Sequence, residues 1–198
     1  MIIRPYESGD DDALYDICLR TGDNGGDATG QFADPRLLGE LFVGPYLRFE
    51  PELAFVADDG APAGYVLGAR DTRAFERDCD RQWWPPLRAK YPPGSFPAGT
   101  RDAYYVERLH EDRSADPAIV ADYPAHLHID LLPRTQGRGI GRALMQTLLA
   151  ALHDAGAPAV HLGVGAANTR AIAFYERMGF TTLRESANGR TMGRPTAP

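Results

Sequence analysis

The chain has 198 residues, which is the length of one large domain and is enough to bury a hydrophobic core without cross-links. Its 43% hydrophobic and 24% charged residues, with no apolar run near the roughly 20 residues of a membrane span, exclude a membrane protein. The 21 basic and 27 acidic side chains give a net charge of −6, which argues against a general nucleic-acid binder because such proteins carry a basic face.

The N-terminus and the cysteines bear on the cellular compartment. The first residues, MIIRPY, lack the apolar core of a secretory signal, so we expect a cytoplasmic protein. Cys18 and Cys79 allow one disulfide at most, and their spacing is not that of a metal site or a redox pair. We interpret Cys18 as a core thiol and Cys79 as a loop thiol, and we expect a single domain over residues 1–198.

Strands and helices alternate along the first part of the chain. The polar residues 8–12 precede a helix whose apolar stripe is Leu14, Ile17 and Cys18. A glycine- and aspartate-rich loop over 21–30 ends this helix, and such loops often border ligand sites. The other predicted elements are a strand at 2–5, a helix over 35–42 and two hairpin strands at 53–57 and 64–67.

Residues 71–124 interrupt this alternation. The segment carries WWPP at 83–86, YPPG at 91–94 and adjacent tyrosines at 104–105, so it is too long and too aromatic for a plain connection. We interpret it as an insertion with some helix that packs on the domain through its aromatic rings. Beyond it the pattern resumes with strands at 126–132, 159–164, 180–183 and 190–193 and helices at 139–155 and 169–178.

A glycine-rich loop lies between a predicted strand and a predicted helix. Residues 136–141 read QGRGIG, and Ile140, Leu144 and Leu148 then repeat at helical spacing. The backbone N–H groups of such a loop converge with the helix dipole on one point, which suits an anion such as a pyrophosphate. The pattern excludes a dinucleotide fingerprint and a P-loop, and a glycine-rich helix start that binds nothing is the alternative. The same patch carries three arginines, Arg134, Arg138 and Arg142.

Two motifs resemble those of the GCN5-related N-acetyltransferase (GNAT) family. The loop at 136–141 is similar to the signature Q/R-x-x-G-x-G/A, and residues 168–180 (NTRAIAFYERMGF) resemble the second motif, N-x-x-A-x-x-F-Y-x-x-x-G-F. Residues 126–133 (HLHIDLLP) are similar to the acetyltransferase-like domain attached to O-GlcNAc hydrolases in animals. The phosphate loop is degenerate in that animal domain and intact here, so the resemblance implies that this chain binds the cofactor.

The resemblance implies an α/β (α+β) acetyltransferase fold, in which a mixed central sheet is flanked by helices and opens in a V between two central strands to admit acetyl-CoA. The backbone of the glycine loop would cradle the pyrophosphate, and the backbone of Ile129 and Leu131 would pair with the pantetheine arm as another strand does. The full set of implied cofactor contacts is Ile129, Leu131, Leu132, Gln136, Gly137, Arg138, Gly139, Ile140, Gly141, Arg142, Asn168, Phe174 and Tyr175.

Tyr175 and Asn168 belong to the second motif. A phenol with an ordinary pKa near 10 is protonated at neutral pH and can donate to a departing thiolate, so Tyr175 suits a general acid. Packing of Tyr175 as a core aromatic residue is the alternative. Asn168 can equally be the N-cap of the last helix, and that role is compatible with a place beside the cofactor.

Three polar side chains share one face of the predicted central strand, because His126, His128 and Asp130 alternate with apolar residues. Burying them without partners costs several kcal/mol, which favours a wet cavity. An ammonium group must lose a proton before it attacks a thioester, and the candidate base is Asp130 first and His128 second. The alternatives are an Asp130 bonded to the loop backbone, a histidine pair that is only hydrogen-bonded, and His126 with His128 as metal ligands lacking a third. Where some relatives place a glutamate base, this chain has Ala125.

The expected function is transfer of the acetyl group from acetyl-CoA to an amine of a small molecule or peptide by direct attack. We expect no metal, no nucleic acid and no membrane partner, and a homodimer is left open. The loop at 21–30 and the insertion are expected to set the specificity for the acceptor. The alternative is a non-catalytic CoA-binding module whose aromatic insertion forms an interaction surface for a partner.

Overall fold

The computed structural model describes residues 1–112 and 114–197 and centres on a mixed sheet. Its strands are β1 (Ile2–Pro5), β2 (Ala54–Asp58), β3 (Pro62–Ala69), β4 (Ala125–Leu131), β5 (Ala159–Gly165), β6 (Thr181–Glu185) and β7 (Gly189–Pro195). They are ordered β1-β2-β3-β4-β5-β7-β6, and neighbours run antiparallel except β4 and β5, which are parallel. The predicted mixed α/β fold class is confirmed.

Helices cover both faces of the sheet. They are α1 (Asp11–Thr21), α2 (Leu37–Phe42), α3 (Gly44–Phe49), α4 (Thr72–Asp78), α5 (Trp84–Lys90), α6 (Arg101–His110), α7 (Pro117–Asp122), α8 (Ile140–Asp154) and α9 (Thr169–Arg177). A π-helical turn, Cys79–Trp83, joins α4 to α5, so the predicted insertion is largely helical. None of the described helices is long and apolar enough to cross a membrane.

The two cysteines are both buried, and neither is part of a disulfide within the described residues. Cys18 lies in α1 and is a core thiol, as the sequence predicted. The prediction for Cys79 was wrong, because this residue lies in the π-helical turn and packs in the same core rather than in a loop.

Alternate residues of the central strands point to opposite faces of the sheet. In β3, Tyr65 and Leu67 pack with α1, α2 and the insertion, whereas Val66 packs with α8 and α9. In β4, Leu127 and Ile129 belong to the core that contains α8 and α9. The sheet is therefore buried on both faces, and the position of a residue in the alternation decides which core it joins.

The insertion is held to the first part of the chain by aromatic rings and by polar contacts. Phe75, Trp84 and Tyr91 join the core that contains α1, as expected of an insertion packed by its aromatic residues. Nε1 of Trp83 donates to the carbonyl of Glu40 at 2.9 Å, which fixes the π-helical turn to α2. These contacts join segments that are distant in sequence.

The start of α6 holds the loop between α1 and α2. The buried carboxylate of Asp102 accepts hydrogen bonds from the backbone N–H groups of Ala33 and Asp34 at 3.0–3.1 Å. Arg101 donates to the carbonyl of Gly22 at 3.0 Å. The loop predicted to border a ligand site is thus tied to the insertion.

The strands β4 and β5 separate after a short parallel contact. They pair only at Ala125 with Val160 and at His126 with His161, while β4 stays paired with β3 as far as Leu131. Beyond His126, the edge of β4 that faces β5 is free of strand pairing within the described residues. This fork is the V-shaped opening that the resemblance implies.

Candidate active site

The glycine loop enters α8 with its backbone exposed. Gly137 and Gly139 have φ angles of +74° and +80°, a left-handed conformation that glycine adopts without strain. Among the described residues no side chain caps α8, so the first N–H groups of the helix lack an intrahelical acceptor. A Cβ at either glycine would meet nothing within 4 Å, so the space in front of the loop is open. This backbone geometry is that of an anion site at a helix N-terminus.

The three arginines of this patch differ in their surroundings. Arg134 pairs with Asp59 at 3.2 Å, so it does not supply the free charge that the sequence predicted. The side chains of Arg138 and Arg142 are exposed at the loop and in the first turn of α8. They are the cations positioned to meet an anion in front of the helix.

The residues predicted to contact the cofactor lie in or next to β4, the glycine loop, α8 and α9, and one of them faces the other core. Gln136 ties the loop to the end of β4, because its Nε2 donates to the carbonyl of Leu131 at 2.8 Å. Leu132 is the one that faces the other core, since its side chain is buried on the other face of the sheet. Four partly buried apolar side chains lie at the edge of the core that contains α8 and α9: Ile129, Leu131, Ile140 and Phe174.

Asn168 and Tyr175 occupy the start and the middle of α9. The side-chain oxygen of Asn168 accepts a backbone N–H of the first turn at 3.1 Å, so this residue is the N-cap. The ring of Tyr175 is buried near Phe174 and Phe180, and burial together with the charge of Asp130 raises its pKa. No fully buried polar side-chain atom of the described residues lacks a partner. The hydroxyl of Tyr175, which hydrogen-bonds to none of them, therefore reaches accessible space.

A hydrogen-bonded cluster lies on the other face of β4. The hydroxyl of Tyr65 donates to Oδ2 of Asp130 at 2.7 Å, and Nε2 of His128 lies 3.0 Å from both oxygens. A carboxylate only accepts, so the arrangement that satisfies all three groups places a proton on Nε2 and leaves a lone pair on Nδ1. The ring of His128 also stacks with Phe42, with their centroids 6.1 Å apart. The hydrogen bonds found for Asp130 thus go to side chains rather than to the loop backbone.

Cys18 borders this cluster from α1. Its Sγ lies within 4.8 Å of the ligand atoms of His128 and Asp130, so these three groups are within the reach of one metal ion. Burial and the nearby carboxylate raise the pKa of the thiol, which keeps it protonated and makes it a weak nucleophile at neutral pH. The hydroxyl of Tyr65 already joins the imidazole to the carboxylate. The cluster therefore suits proton transfer better than metal binding.

His126 and His161 lie at the base of the fork and are held in the neutral form. The hydroxyl of Thr72 donates to the carbonyl of Pro124 at 2.7 Å, so its oxygen accepts Nδ1–H of His126 at 2.8 Å. Burial lowers the pKa of His126 to about 3. His161 donates through Nδ1 to the carbonyl of Tyr123 at 2.8 Å, and burial lowers its pKa as well. These histidines support the strands rather than exchange protons.

A cavity of about 860 Å³ opens on this face, between the fork and the insertion. Residues 126–128 of β4 and 161–163 of β5 line it, and the remaining lining comes from α2 to α6 with the turn between α4 and α5, and from residues that follow α6. His128 faces the cavity, whereas Asp130 does not line it. Of the two candidate bases, His128 is therefore the one in contact with the cavity.

Two members of the cluster were missed by reasoning from the sequence. Tyr65 pairs in register with Asp130 across β3 and β4, which brings its hydroxyl to the carboxylate. Cys18 was assigned to the core without a partner at the site. The polar tip of Tyr65 on a strand that is otherwise apolar was the available signal, because a buried phenol requires a hydrogen-bond partner.

The sequence matches the model of the acetyltransferase (GNAT) family over residues 27–180. The chain belongs to this family. Protein O-GlcNAcase of Rattus norvegicus is 27% identical over 183 residues, which cover 89% of this chain and 20% of that protein. The predicted resemblance to the family and to the O-GlcNAc hydrolases is therefore confirmed, and the chain spans about a fifth of the length of the O-GlcNAcase relative.

Two further matches concern the motif region and the whole fold. The ribosomal protein bS18-alanine N-acetyltransferase of Escherichia coli is 37% identical over 81 residues, which cover 40% of this chain and 55% of that enzyme. The crystal structure of SsHAT is 46% identical in sequence and has a TM-score of 0.93, with 100% of this chain and 98% of that chain covered. The fold of this chain is thus that of an acetyltransferase over its full described length.

Proposed function

We propose that this chain transfers the acetyl group of acetyl-CoA to an amine by direct attack of the amine nitrogen on the thioester. The observation that carries the proposal is the fork between β4 and β5, which has the glycine loop and α8 on one face and the pair of His128 and Asp130 with its cavity on the other. Ligands that approach from the two faces would meet in the fork. Membership of the family supports acetyl transfer, and the named activity of the Escherichia coli relative supports an amine acceptor.

The open glycine loop fits the pyrophosphate of acetyl-CoA, whose thioester supplies the activated acetyl group. The backbone N–H groups of residues 137–142 would bind the phosphate oxygens, and Arg138 and Arg142 would add charge. The free edge of β4 at Ile129 and Leu131 would receive the amides of the pantetheine arm. Phe174 would cover the arm from α9.

His128 is the proposed base, with Asp130 as its partner. An ammonium group has no lone pair, so one proton must leave the nitrogen before attack. Nδ1 of His128 takes this proton in our proposal, while Asp130 accepts the Nε2–H and stabilises the resulting imidazolium. The lining of the cavity supports this order over the one favoured from the sequence, in which Asp130 came first.

Tyr175 is the proposed proton donor to the sulfur. When the C–S bond breaks, the electron pair stays on sulfur, and Tyr175 gives its proton to this thiolate. The second proton of the amine nitrogen then restores the phenol, and the proton on His128 passes to solvent. A raised pKa keeps the Tyr175 phenol protonated across the working pH range, so its hydroxyl is present as a donor to the thiolate. The hydroxyl reaches accessible space from the middle of α9, which supports this role.

A release assay with product analysis tests the proposal. The protein is incubated with acetyl-CoA and a panel of amines, and both the free thiol and the acetylated amine are measured. We expect the two products in equal amounts. A non-catalytic CoA-binding module is the second candidate, because the O-GlcNAcase that matches 89% of this chain is not named as an acetyltransferase. Binding of CoA with no acetylated product from any amine would favour this second candidate.

A further inference from the structure

The cavity beside His128 is much larger than the acetyl group that is transferred. Its volume of about 860 Å³ lies within the range of small-molecule binding sites. A second cavity of about 540 Å³ continues from it along β5, and the two share Ala115, His161 and Gly163. The space on this face of the fork therefore has room for the body of an acceptor as well as for its amine.

Aromatic rings form much of the wall of the larger cavity. They come from three separate segments of the chain and comprise Phe42, Tyr46, Phe75 and Trp84. The ring of Phe42 stacks with that of His128, so the aromatic wall begins at the proposed base. Aromatic faces bind apolar groups by burial of their surface and attract cations through the ring quadrupole.

The charges around the cavity are mainly negative. The described lining residues include one guanidinium, Arg88, whose Nε donates to the carbonyl of Leu109 at 2.9 Å. One lining carboxylate, Glu76, pairs with Arg73 at 2.7 Å. The lining carboxylates are Glu76, Asp80, Glu111 and Asp112. Such a surplus of negative charge attracts cations and repels anionic ligands.

We propose that the acceptor is a small primary amine that is cationic at neutral pH and carries an aromatic or similarly apolar body. This inference rests on the proposed acetyl transfer and specifies its acceptor. The body packs against the aromatic wall, the amine lies at His128, and the carboxylates disfavour any acceptor with an anionic group. The insertion thus contributes much of the selection of the acceptor, because two of the four rings, Phe75 and Trp84, and all four carboxylates belong to it.

Matched pairs of acceptors test the charge rule. Tryptamine and tryptophan share their ring and amine and differ by one carboxylate, as do phenethylamine and phenylalanine. We expect kcat/KM to be at least tenfold higher for the amine than for the amino acid in each pair. Glucosamine tests the need for an apolar body, and we expect it to be at least tenfold poorer than tryptamine. Equal rates within each pair, or a preference for glucosamine, would overturn the inference.

A pair of double variants separates a local effect from one of total charge. The double variant Asp80→Asn with Glu111→Gln removes two carboxylates that line the cavity, and we expect the KM for tryptamine to rise at least threefold while the KM for acetyl-CoA is unchanged. The control, Glu107→Gln with Asp154→Asn, removes two exposed carboxylates that do not line it. An equal rise in both double variants would contradict a role of the cavity.

Direct binding distinguishes a failure of this inference from a failure of the proposed function. Calorimetry with tryptamine and with tryptophan on the protein saturated with CoA measures the acceptor site without turnover. Tighter binding of tryptamine, by at least tenfold, supports the cavity even where acetyl transfer fails. Acetylation of an anionic amine with no preference for tryptamine would refute the inference and leave acetyl transfer intact.

Discussion

Replacing Gly139 with aspartate tests the anion site at the start of α8. A Cβ at this position meets nothing within 4 Å, so the new side chain fits without a clash and extends into the space in front of the helix. A carboxylate about 5 Å from a phosphate charge opposes it by about 3 kcal/mol at an effective dielectric constant of 20. We therefore expect the affinity for CoA to fall by about 100-fold or more.

The opposite end of the same helix provides a matched control. Gly156 has a φ angle of +84°, close to the +80° of Gly139, and a Cβ there also meets nothing within 4 Å. The two aspartate variants thus carry the same backbone strain. A 15-residue helix is about 22 Å long, so a charge at Gly156 is largely screened from the glycine loop. The helix dipole also favours aspartate at the N-terminus over the C-terminus, so we expect Gly139→Asp to be the more stable variant without ligand.

Thermal unfolding with and without CoA is the assay. At a CoA concentration of about 100 times its Kd, the unaltered protein gains about 2.7 kcal/mol, which raises Tm by about 5–11 °C for a chain of this size. With a 100-fold weaker Kd the gain falls to about 0.4 kcal/mol and the shift to about 1–2 °C. Gly156→Asp should keep the full shift. A folded Gly139→Asp protein that binds CoA as tightly as the unaltered protein would refute the assignment of the anion site.

Tyr175→Phe is expected to lower kcat at least tenfold, about 1.4 kcal/mol, while the Kd of CoA stays within about threefold, because only the proton donor is lost. Unchanged turnover would make Tyr175 a packing residue. Asp130→Asn and His128→Asn are each expected to lower kcat/KM, and the double variant should be no slower than His128→Asn because the two groups act as one unit. Additive losses would separate their roles. Burial lowers the pKa of folded His126 to about 3 from 6.5, so protonation favours the unfolded chain. Its stabilisation is fully present above pH 6.5 and falls by about 1.4 kcal/mol per pH unit as the pH drops towards 3. Urea unfolding at pH 7 and pH 5 measures this loss, which His126→Asn should reduce; an unreduced loss would place the titrating group elsewhere.

The fold was predictable where the signal is local. A few adjacent residues determine each of three features: the glycine loop, the start of α8 and the alternation in β4. The structure has all three close to their predicted positions. The helix predicted over 35–42 was incomplete, because α2 begins at Leu37 and a second short helix, α3, follows it. Pro45 lies in the first turn of α3, where a missing N–H costs nothing. From the sequence alone, this proline indicates the end of a helix rather than the start of one.

The contacts that complete the site are long-range and could not be predicted. The hydroxyl of Tyr65 reaches Asp130 only because β3 and β4 pair in one particular register, and a sequence alone does not reveal that register. The cavity depends on contacts such as that of Trp83 with Glu40, which join the insertion to α2. The salt bridge between Arg134 and Asp59 was also not predicted. Because of this pairing, Arg134 adds no free positive charge to the glycine loop.

The alternation of β4 places the two halves of the proposed reaction on opposite faces of one strand. Leu127 and Ile129 point to the core of α8 and α9, where the cofactor would lie, while His128 and Asp130 point to the cluster beside the acceptor cavity. A slip of one residue in the pairing of β4 with β3 would exchange these faces, burying the charged groups against α8. The proposed reaction requires that β5 separates from β4 after His126. A fully paired sheet would place a layer of backbone between the two ligands. The short parallel contact between these strands is therefore the feature of the fold that would allow the amine and the thioester of the proposed reaction to meet.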